Sequence, residues 1–296
     1  MSLDLHFYKR TDSALTEEEL ADFLTEHIYF NTSENPDQWM YENPETGVYF
    51  TIDHNDPLET AEDIALFDNF DDFTYLNFTF SLNLVRPDFF GLESFPIVDQ
   101  LIAELDLYVL TETEEYELPA KYERGELHQV WRNQNHGVIL QQFNELQLDY
   151  LPAETSNAMW WHLVQREELQ ESLVEDVFVA GYFILKNDSN GELYTATLWP
   201  QHIPVILPPA DFVIIQKEYL MNNDRIEETG LVPYETVMIE FQDYFEDFEF
   251  EVPDLKILRE QEDDIVQDKF NELEFSSTIE EFGVILNLDE FVNVKP

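Results

Sequence analysis

The sequence predicts an α+β protein of two lobes: an N-terminal two-layer unit whose antiparallel or mixed sheet carries helices on one face, then a second α+β lobe. Three observations carry this expectation. Leu76, Phe78, Phe80, Leu82 and Leu84 alternate with Asn77, Thr79, Ser81 and Asn83, the period of a half-buried strand. Thr16 followed by Glu17, Glu18 and Glu19 is a capping box in front of a helical stripe of Leu20, Phe23, Leu24 and Ile28. Finally, 44% of the 296 residues are hydrophobic and 15% aromatic, enough for a buried core despite a formal charge of -50.

Leu3, Leu5 and Phe7 alternate with Asp4, His6 and Tyr8, which reads as the first strand. After the capped helix, Asn43, Pro44 and Gly47 mark a turn between Trp39-Met40-Tyr41 and a strand through Val48, Phe50 and Ile52. The alternating strand stops at Pro87. Pro96 is expected in the first turn of a helix through Ile97, Leu101, Ile102 and Leu105, with Leu107 and Val109 in a closing strand. With the helices on one side, His6, Tyr8, Tyr49, Thr51, Asn77, Thr79 and Ser81 form the other face, either exposed or covered by the second lobe. The acidic, aperiodic stretch 111–119 reads as a linker and gives domains of 1–112 and 120–296.

Beyond the linker, a helix is expected over 122–146, with Gly125 and Asn135-His136-Gly137 as breaking points. Another starts after Pro152, with Trp161, Val164, Leu169 and Leu173 on one face. Residues 177–185 and 193–199 read as a hairpin closed at Asp188-Ser189-Asn190-Gly191. Residues 199–209 are proline-rich and irregular, and 212–215 a short strand. Pro233 opens a helix whose buried stripe is Val237, Phe241, Tyr244, Phe245 and Phe248. Residues 255–258 form a strand and 260–273 an acidic amphipathic helix.

The 14 Lys and Arg residues stand against 64 Asp and Glu. No lysine or arginine occurs in 11–85, nor between Arg225 and Lys256, so the carboxylates there have no lysine or arginine neighbour along the chain. Such a surface repels phosphate, and nucleic-acid affinity comes largely from basic side chains releasing counterions. Direct nucleic-acid binding and binding to an anionic membrane are therefore disfavoured. The natural complement is a basic protein or a multivalent cation. The absence of cysteine excludes disulfides and thiolate metal sites and fits the cytoplasm. The longest apolar run, 177–185, is far short of the roughly 20 residues that cross a bilayer.

No nucleophile elbow, phosphate loop or dinucleotide fingerprint is present. Residues 187–191 have the composition of a calcium loop, but taking Gly191 as the loop glycine puts Lys186 at the first ligand position, so a hairpin turn is the better reading. None of the seven histidines, His6, His27, His54, His128, His136, His162 and His202, has a partner at helical ligand spacing. Asp53-His54-Asn55-Asp56 precedes Pro57 and reads as a loop. No metal or cofactor is expected, and no catalytic residue is assigned.

Residues 39–50 (WMYENPETGVYF) and 86–93 (RPDFFGLE) resemble a group of uncharacterised acidic bacterial proteins, as do 175–179, Trp199-Pro200 and Ile203-Pro204. In composition and layout the chain is also similar to immunity proteins of bacterial toxin systems. That resemblance implies a cytoplasmic α+β protein that blocks a cognate toxin, and it carries no motif from which a residue's role transfers.

The expected function is that of a non-enzymatic acidic protein inhibiting a basic protein partner, a nuclease-type toxin that it occludes by nucleic-acid mimicry. The candidate partner-binding residues are Asp63, Asp68, Asp71 and Asp72 in the first run, and Glu240, Asp243, Glu246, Asp247, Glu249 and Glu251 in the second. The aromatics between the latter serve either as interface anchors or as the core face of their helix. Two alternatives stand beside this: a carboxylate-based hydrolase or metal-dependent enzyme, and an acidic soluble protein with no charge-specific partner.

Overall fold

The computed structural model describes residues 1–27, 30–32, 35–67, 69–111, 118–173, 176–201, 203–221, 224–259 and 264–296. The chain is α+β. It divides into two compact units, Met1–Gln147 with Val294–Pro296, and Leu148–Asn293. The expected linker falls mostly outside the described residues; at its ends, Thr111 closes a strand and Ala120 bridges back to Val109. Among the described residues no helix is long and apolar enough to cross a membrane.

The first unit runs β1 (Ser2–Arg10), α1 (Glu17–Glu26), β2 (Asn31–Thr32), β3 (Gln38–Glu42), β4 (Tyr49–His54), α2 (Ala61–Phe67), β5 (Phe73–Asn83), α3 (Phe89–Glu104), β6 (Tyr108–Thr111) and α4 (Glu126–Leu146). Its strands form an antiparallel sheet in the order β2-β3-β4-β5-β1-β6. The alternation read in 76–84 is real, and Leu76, Phe78, Phe80, Leu82 and Leu84 are all buried. The capping box at Thr16 also forms, with Glu19 N–H donating to Thr16 Oγ1 at 3.1 Å and Thr16 N–H donating to the Glu19 carboxylate at 2.9 Å. Leu20 and Leu24 of α1 are buried; Ile28 lies outside the described residues.

Part of the opposite sheet face is closed from within its own unit, while Tyr49, Thr51, Asn77 and Ser81 stay half-buried. His6, Tyr8 and Thr79 are buried there, with Leu58, Phe67, Phe70 and Phe73 of their own unit packed on the cluster around Tyr8. The Phe67 ring lies 4.6 Å from the His6 ring, and Tyr8 Oη donates to the Phe67 carbonyl at 2.8 Å. A bulge interrupts the β1–β5 ladder at this point. His6 pairs with Thr79 but Tyr8 with Tyr75, and between those partners Asn77 adopts φ 57°. Hydrophobic period alone does not encode such an insertion.

Helix α3 begins at Phe89, seven residues before the proline expected to open it. Pro87 and Asp88 supply the first turn, with Phe90 N–H donating to Pro87 and Gly91 N–H to Asp88. Pro96 sits inside the helix on its exposed face, where it costs one helical hydrogen bond. Helix α4 runs unbroken. Gly125, at φ 85°, precedes its first residue, and Gly137 lies within it in open space. The polar run read as a break is an anchoring face. Buried Asn135 Oδ1 accepts Val85 N–H at 2.7 Å and its amide donates to Arg86 C=O at 2.8 Å. Gly91 allows α3 and α4 to approach, since a β-carbon there would lie 2.7 Å from the Trp131 ring.

The second unit contains β7 (Asp149–Tyr150), α5 (Ala153–Ser172), β8 (Phe178–Val179), β9 (Tyr182–Asn187), β10 (Leu193–Pro200), β11 (Val205–Leu207), β12 (Phe212–Met221), β13 (Asp224–Pro233), α6 (Tyr234–Glu240), β14 (Glu246–Phe248), β15 (Leu255–Leu258), α7 (Asp264–Glu272), α8 (Ile279–Phe282), β16 (Gly283–Leu286) and β17 (Phe291–Val292). One sheet has the order β13-β12-β10-β9-β16 and a second β14-β15-β11-β8; β17 and β7 form a parallel pair. The turn at 187–191 closes a β9–β10 hairpin as expected, with Gly191 at φ 70° and Gly191 N–H donating to Asn187 C=O at 2.8 Å, but the first arm is 182–187 and not 177–185, since Phe178–Val179 pairs with β11 in the other sheet. Trp199 is wholly buried against Phe241 (5.0 Å), Phe245 (5.4 Å) and Phe270 (4.9 Å).

Four further expectations for this unit fail. Residues 199–209, expected to be irregular, contain the wholly buried strand β11, paired with β15 on one side and β8 on the other, because the prolines at 204 and 208 flank the strand and leave its three apolar residues free to pair. Residues 212–215 begin a ten-residue strand, β12, paired along its length with β13. Charged residues hide its period, yet Lys217 is buried, its ammonium donating to the carbonyls of Asn271 and Leu273 at the end of α7. Trp161 does not lie on the buried face of α5, which consists of Ser156, Met159, His162, Leu163 and Leu169. Polar side chains rotate that face, because Arg166 and Gln170 bond the backbone of Val177 and Val179 beside β8. Helix α6 ends at Glu240, so Tyr244, Phe245 and Phe248 form no helical stripe. The start of the helix expected over 260–273 lies outside the described residues; α7 covers the rest.

Candidate partner-binding surface

Of the four acids singled out in the first run, the side chain of Asp63 and the whole of Asp68 lie outside the described residues. Asp71 and Asp72 are exposed in the turn that leads into β5. Their backbone is held by Thr11, whose N–H donates to Asp72 C=O at 3.1 Å and whose hydroxyl donates to Asp71 C=O. Asp72 is not without a cation: Arg10, at the end of neighbouring β1, reaches it at 3.8 Å. Other acids of the run are used within the fold. Glu17 accepts from Asn77 at 3.0 Å and lies 3.0 Å from His54 Nε2, and Asp53 accepts from Gln38 and Thr51. The expectation that this run's charge has no local partner is corrected for Asp72, which meets Arg10, while Glu17 and Asp53 are satisfied by polar side chains that sheet pairing brings together from far apart in sequence.

The second run behaves differently. Glu240 ends α6, Asp243 follows in a turn, Glu246 and Asp247 lie on β14, and Glu249 and Glu251 lie between β14 and β15. All six side chains are exposed. Among the described residues Lys256 is the one cation paired with any of them, at Asp247. Lys269 bonds the main-chain carbonyl of Glu240 at 3.0 Å and leaves its carboxylate alone. The interleaved aromatics turn inward. Phe241 and Phe245 pack on Trp199, while Phe248 and Phe250 pack with Leu169, Val177, Val252 and Leu255. A helix was expected to separate acids from aromatics here. A short helix, a turn and an edge strand do so, in the order that keeps each carboxylate wet.

One aromatic remains at this surface, and it was missed. The Trp161 indole N–H reaches the Glu251 carbonyl at 3.4 Å while its side chain stays 36% exposed. A helical period assigned it to the core. Its partner lies 90 residues away in sequence, and no local signal points there.

The enzymatic alternative directs attention to clefts with converging carboxylates. One of about 630 Å³ lies along α3, lined by Asp99, Asp106, Lys121 and Arg124 among others. Its two carboxylates are engaged separately. Asp106 pairs with Lys121, and Asp99 accepts Gly125 N–H at 2.9 Å, while burial pushes the Asp99 carboxyl above its ordinary range. A buried acid also sits at Asp88, with Arg132 Nε at 3.0 Å and His136 Nε2 at 2.6 Å. Among the described residues no three His, Asp or Glu side chains are grouped to hold a metal ion.

Comparison with known proteins finds no matching family model, no matching curated relative and no matching solved structure.

Proposed function

We propose that the chain is a non-enzymatic acidic binding protein of the bacterial cytoplasm that inhibits a basic protein. In this reading it is an immunity protein that occupies the phosphate-binding surface of a nuclease-type toxin. The observation that carries the reading is the surface of the second run: six exposed carboxylates in 12 residues, one of them paired with a cation, with the intervening aromatics folded inward. A chain using acids only for solubility has no need to place five without cations on one short segment. The mechanism is occlusion. The acids stand in for a nucleic-acid backbone, complementary charge speeds encounter, and Trp161 gives a flat apolar contact beside them.

The test compares the wild type with a variant carrying Glu240→Gln, Asp243→Asn, Glu246→Gln, Glu249→Gln and Glu251→Gln. Each is immobilised, exposed to lysate of the source organism at low salt, and the retained proteins are assayed for nuclease activity with and without the free chain. The wild type is expected to retain a basic protein whose nuclease activity the free chain suppresses, and the variant to lose both effects. Equal retention by the variant, or a retained protein whose activity is untouched, would sink the proposal.

A further inference from the structure

We propose that the open edge of β16 is a docking strand that takes up an extended segment of the basic partner by strand addition. The inference rests on the reading above, that the partner is basic, and adds where and how it binds.

The other edges of the two larger sheets in this unit are closed or charged. At β8, Gln170 accepts Val179 N–H, Gln170 and Arg166 donate to Val177 and Val179, and His162 bonds Ala180 C=O at 2.7 Å. β14 carries Glu246 and Asp247. β13 carries Glu227 and Glu228, and residues 276–277 bond back to its Leu231. These are the ordinary protections of a sheet edge. β16 reads Gly283-Val284-Ile285-Leu286, without charge or proline. Val284 and Ile285 point to opposite faces, and they are 49% and 48% exposed.

Its hydrogen-bond phase can be read directly. Asp188 N–H donates to Phe282 C=O at 3.0 Å, and bonded and non-bonded pairs alternate along an antiparallel ladder. Val284 and Leu286 therefore turn their peptide groups to β9, whereas Gly283 and Ile285 turn theirs outward. Gly283 N–H is taken by Ile279 C=O. The next outward residue, Asn287, is closed by Glu290, whose carboxylate accepts its N–H at 2.8 Å and whose own N–H donates to its carbonyl. Gly283 C=O and both groups of Ile285 remain, with no partner among the described residues. An incoming strand can pair with Ile285 in both directions and bury Val284 and Ile285 on its two faces.

Charge selects the occupant. Exposed Glu280 and Glu281 precede the strand and exposed Glu290 follows it, while the cation opposite, Lys186, is held by Asp149 at 2.8 Å. A second copy of the chain would bring a formal charge of -50 to the same edge and be repelled. A short apolar strand with basic residues at its ends fits both features.

The probe is a nine-residue peptide with an alternating valine–threonine centre and two lysines at each end, set beside an oligolysine of equal length. Hydrogen exchange is followed residue by residue at low salt. The peptide is expected to slow exchange of the Ile285 amide, and oligolysine to leave it unchanged. Ile285→Pro removes an outward N–H that no element of the fold uses, and proline is tolerated on an edge. It is expected to weaken the peptide about tenfold. Val284→Lys tests the same edge by charge and also weakens it, should the proline variant fold poorly. The proposal is overturned by a peptide that binds both variants as tightly as wild type, or that binds without protecting Ile285. A peptide stripped of its lysines that binds equally well overturns the basic occupant, and a wild-type dimer dissolved by Ile285→Pro overturns it in favour of a second copy. If neither peptide nor oligolysine binds, the basic-partner reading fails together with this one; oligolysine binding alone sinks only the strand.

Discussion

The carboxylate of Asp88, 3% exposed, stands 2.6 Å from His136 Nε2 at the junction of α3 and α4. Asp88 is placed to cap α3, but its side chain makes no cap hydrogen bond and turns to α4. There Arg132 and His136 hold it, and Asn135 between them clamps the strand exit at Val85 and Arg86. Val85 needs that clamp. It is β-branched and sits at φ 61°, a conformation that costs about 1–2 kcal/mol. Replacing Asn135 with Ala leaves the amides of Val85 and Arg86 without their acceptor and should cost about 1–3 kcal/mol. Asp88→Ala should cost a similar amount, because Arg132 and His136 are partly exposed and can rehydrate. Urea unfolding at neutral pH measures both. Losses under about 0.5 kcal/mol would show that the junction is held by Trp131 packing alone.

Tyr234 gives a pH prediction. Burial pushes its hydroxyl up to about 12, and burial also raises the Tyr182 hydroxyl. A phenol whose folded value exceeds its unfolded value of 10.0 contributes stability that is whole below that value. The contribution is lost as pH rises from 10.0 toward about 12. Tyrosinate absorbance should therefore lag behind model tyrosine until the chain unfolds, and stability should fall steadily through this window. The Tyr234 hydroxyl is also buried without a hydrogen-bond partner among the described residues. Tyr234→Phe is accordingly expected to be neutral or stabilising by up to about 1 kcal/mol at pH 7, and to flatten the alkaline limb.

Trp199 holds one core of the second unit, with three phenylalanine rings within 5.4 Å. Trp199→Ala should cost about 3–5 kcal/mol. Because Phe241, Phe245 and Phe270 come from segments on both sides of β14 and β15, the loss should appear as faster hydrogen exchange across 234–273. A change confined to β10 would show that the rings repack without the indole.

These three sites also show how much was legible in the sequence. Strand period, the Thr16 capping box and the 187–191 turn were readable because each depends on residues a few positions apart. The paired ten-residue strands β12 and β13 were not, because Lys217, Glu227 and Glu228 break the apolar alternation, and Lys217 finds its partners 54 and 56 residues away. Trp161 was misplaced for the same reason: the buried face of α5 is set by the backbone of Val177 and Val179, not by the helix's own apolar pattern. The exposure of the second acidic run was foreseen from composition, but its frame of helix, turn and strand was not. The open edge of β16 left no trace in the sequence, since an edge is defined by what fails to pair with it.

The charge gives the last prediction. A formal charge of -50 on a folded chain opposes compaction, and the acids of the second run lie close along one segment. Raising ionic strength from about 0.01 M to about 0.15 M shortens the screening length from roughly 30 Å to roughly 8 Å. The melting temperature should rise over that range. If the repulsion is concentrated on the second run, Glu246→Gln, Glu249→Gln and Glu251→Gln together should raise the low-salt melting temperature by about 2–4 °C and reduce its salt dependence. Three neutralisations among 64 acids would otherwise change it little. An unchanged salt slope in the triple variant would mean that repulsion is shared across the surface, and the acids at 246, 249 and 251 would lose their standing as a distinct patch.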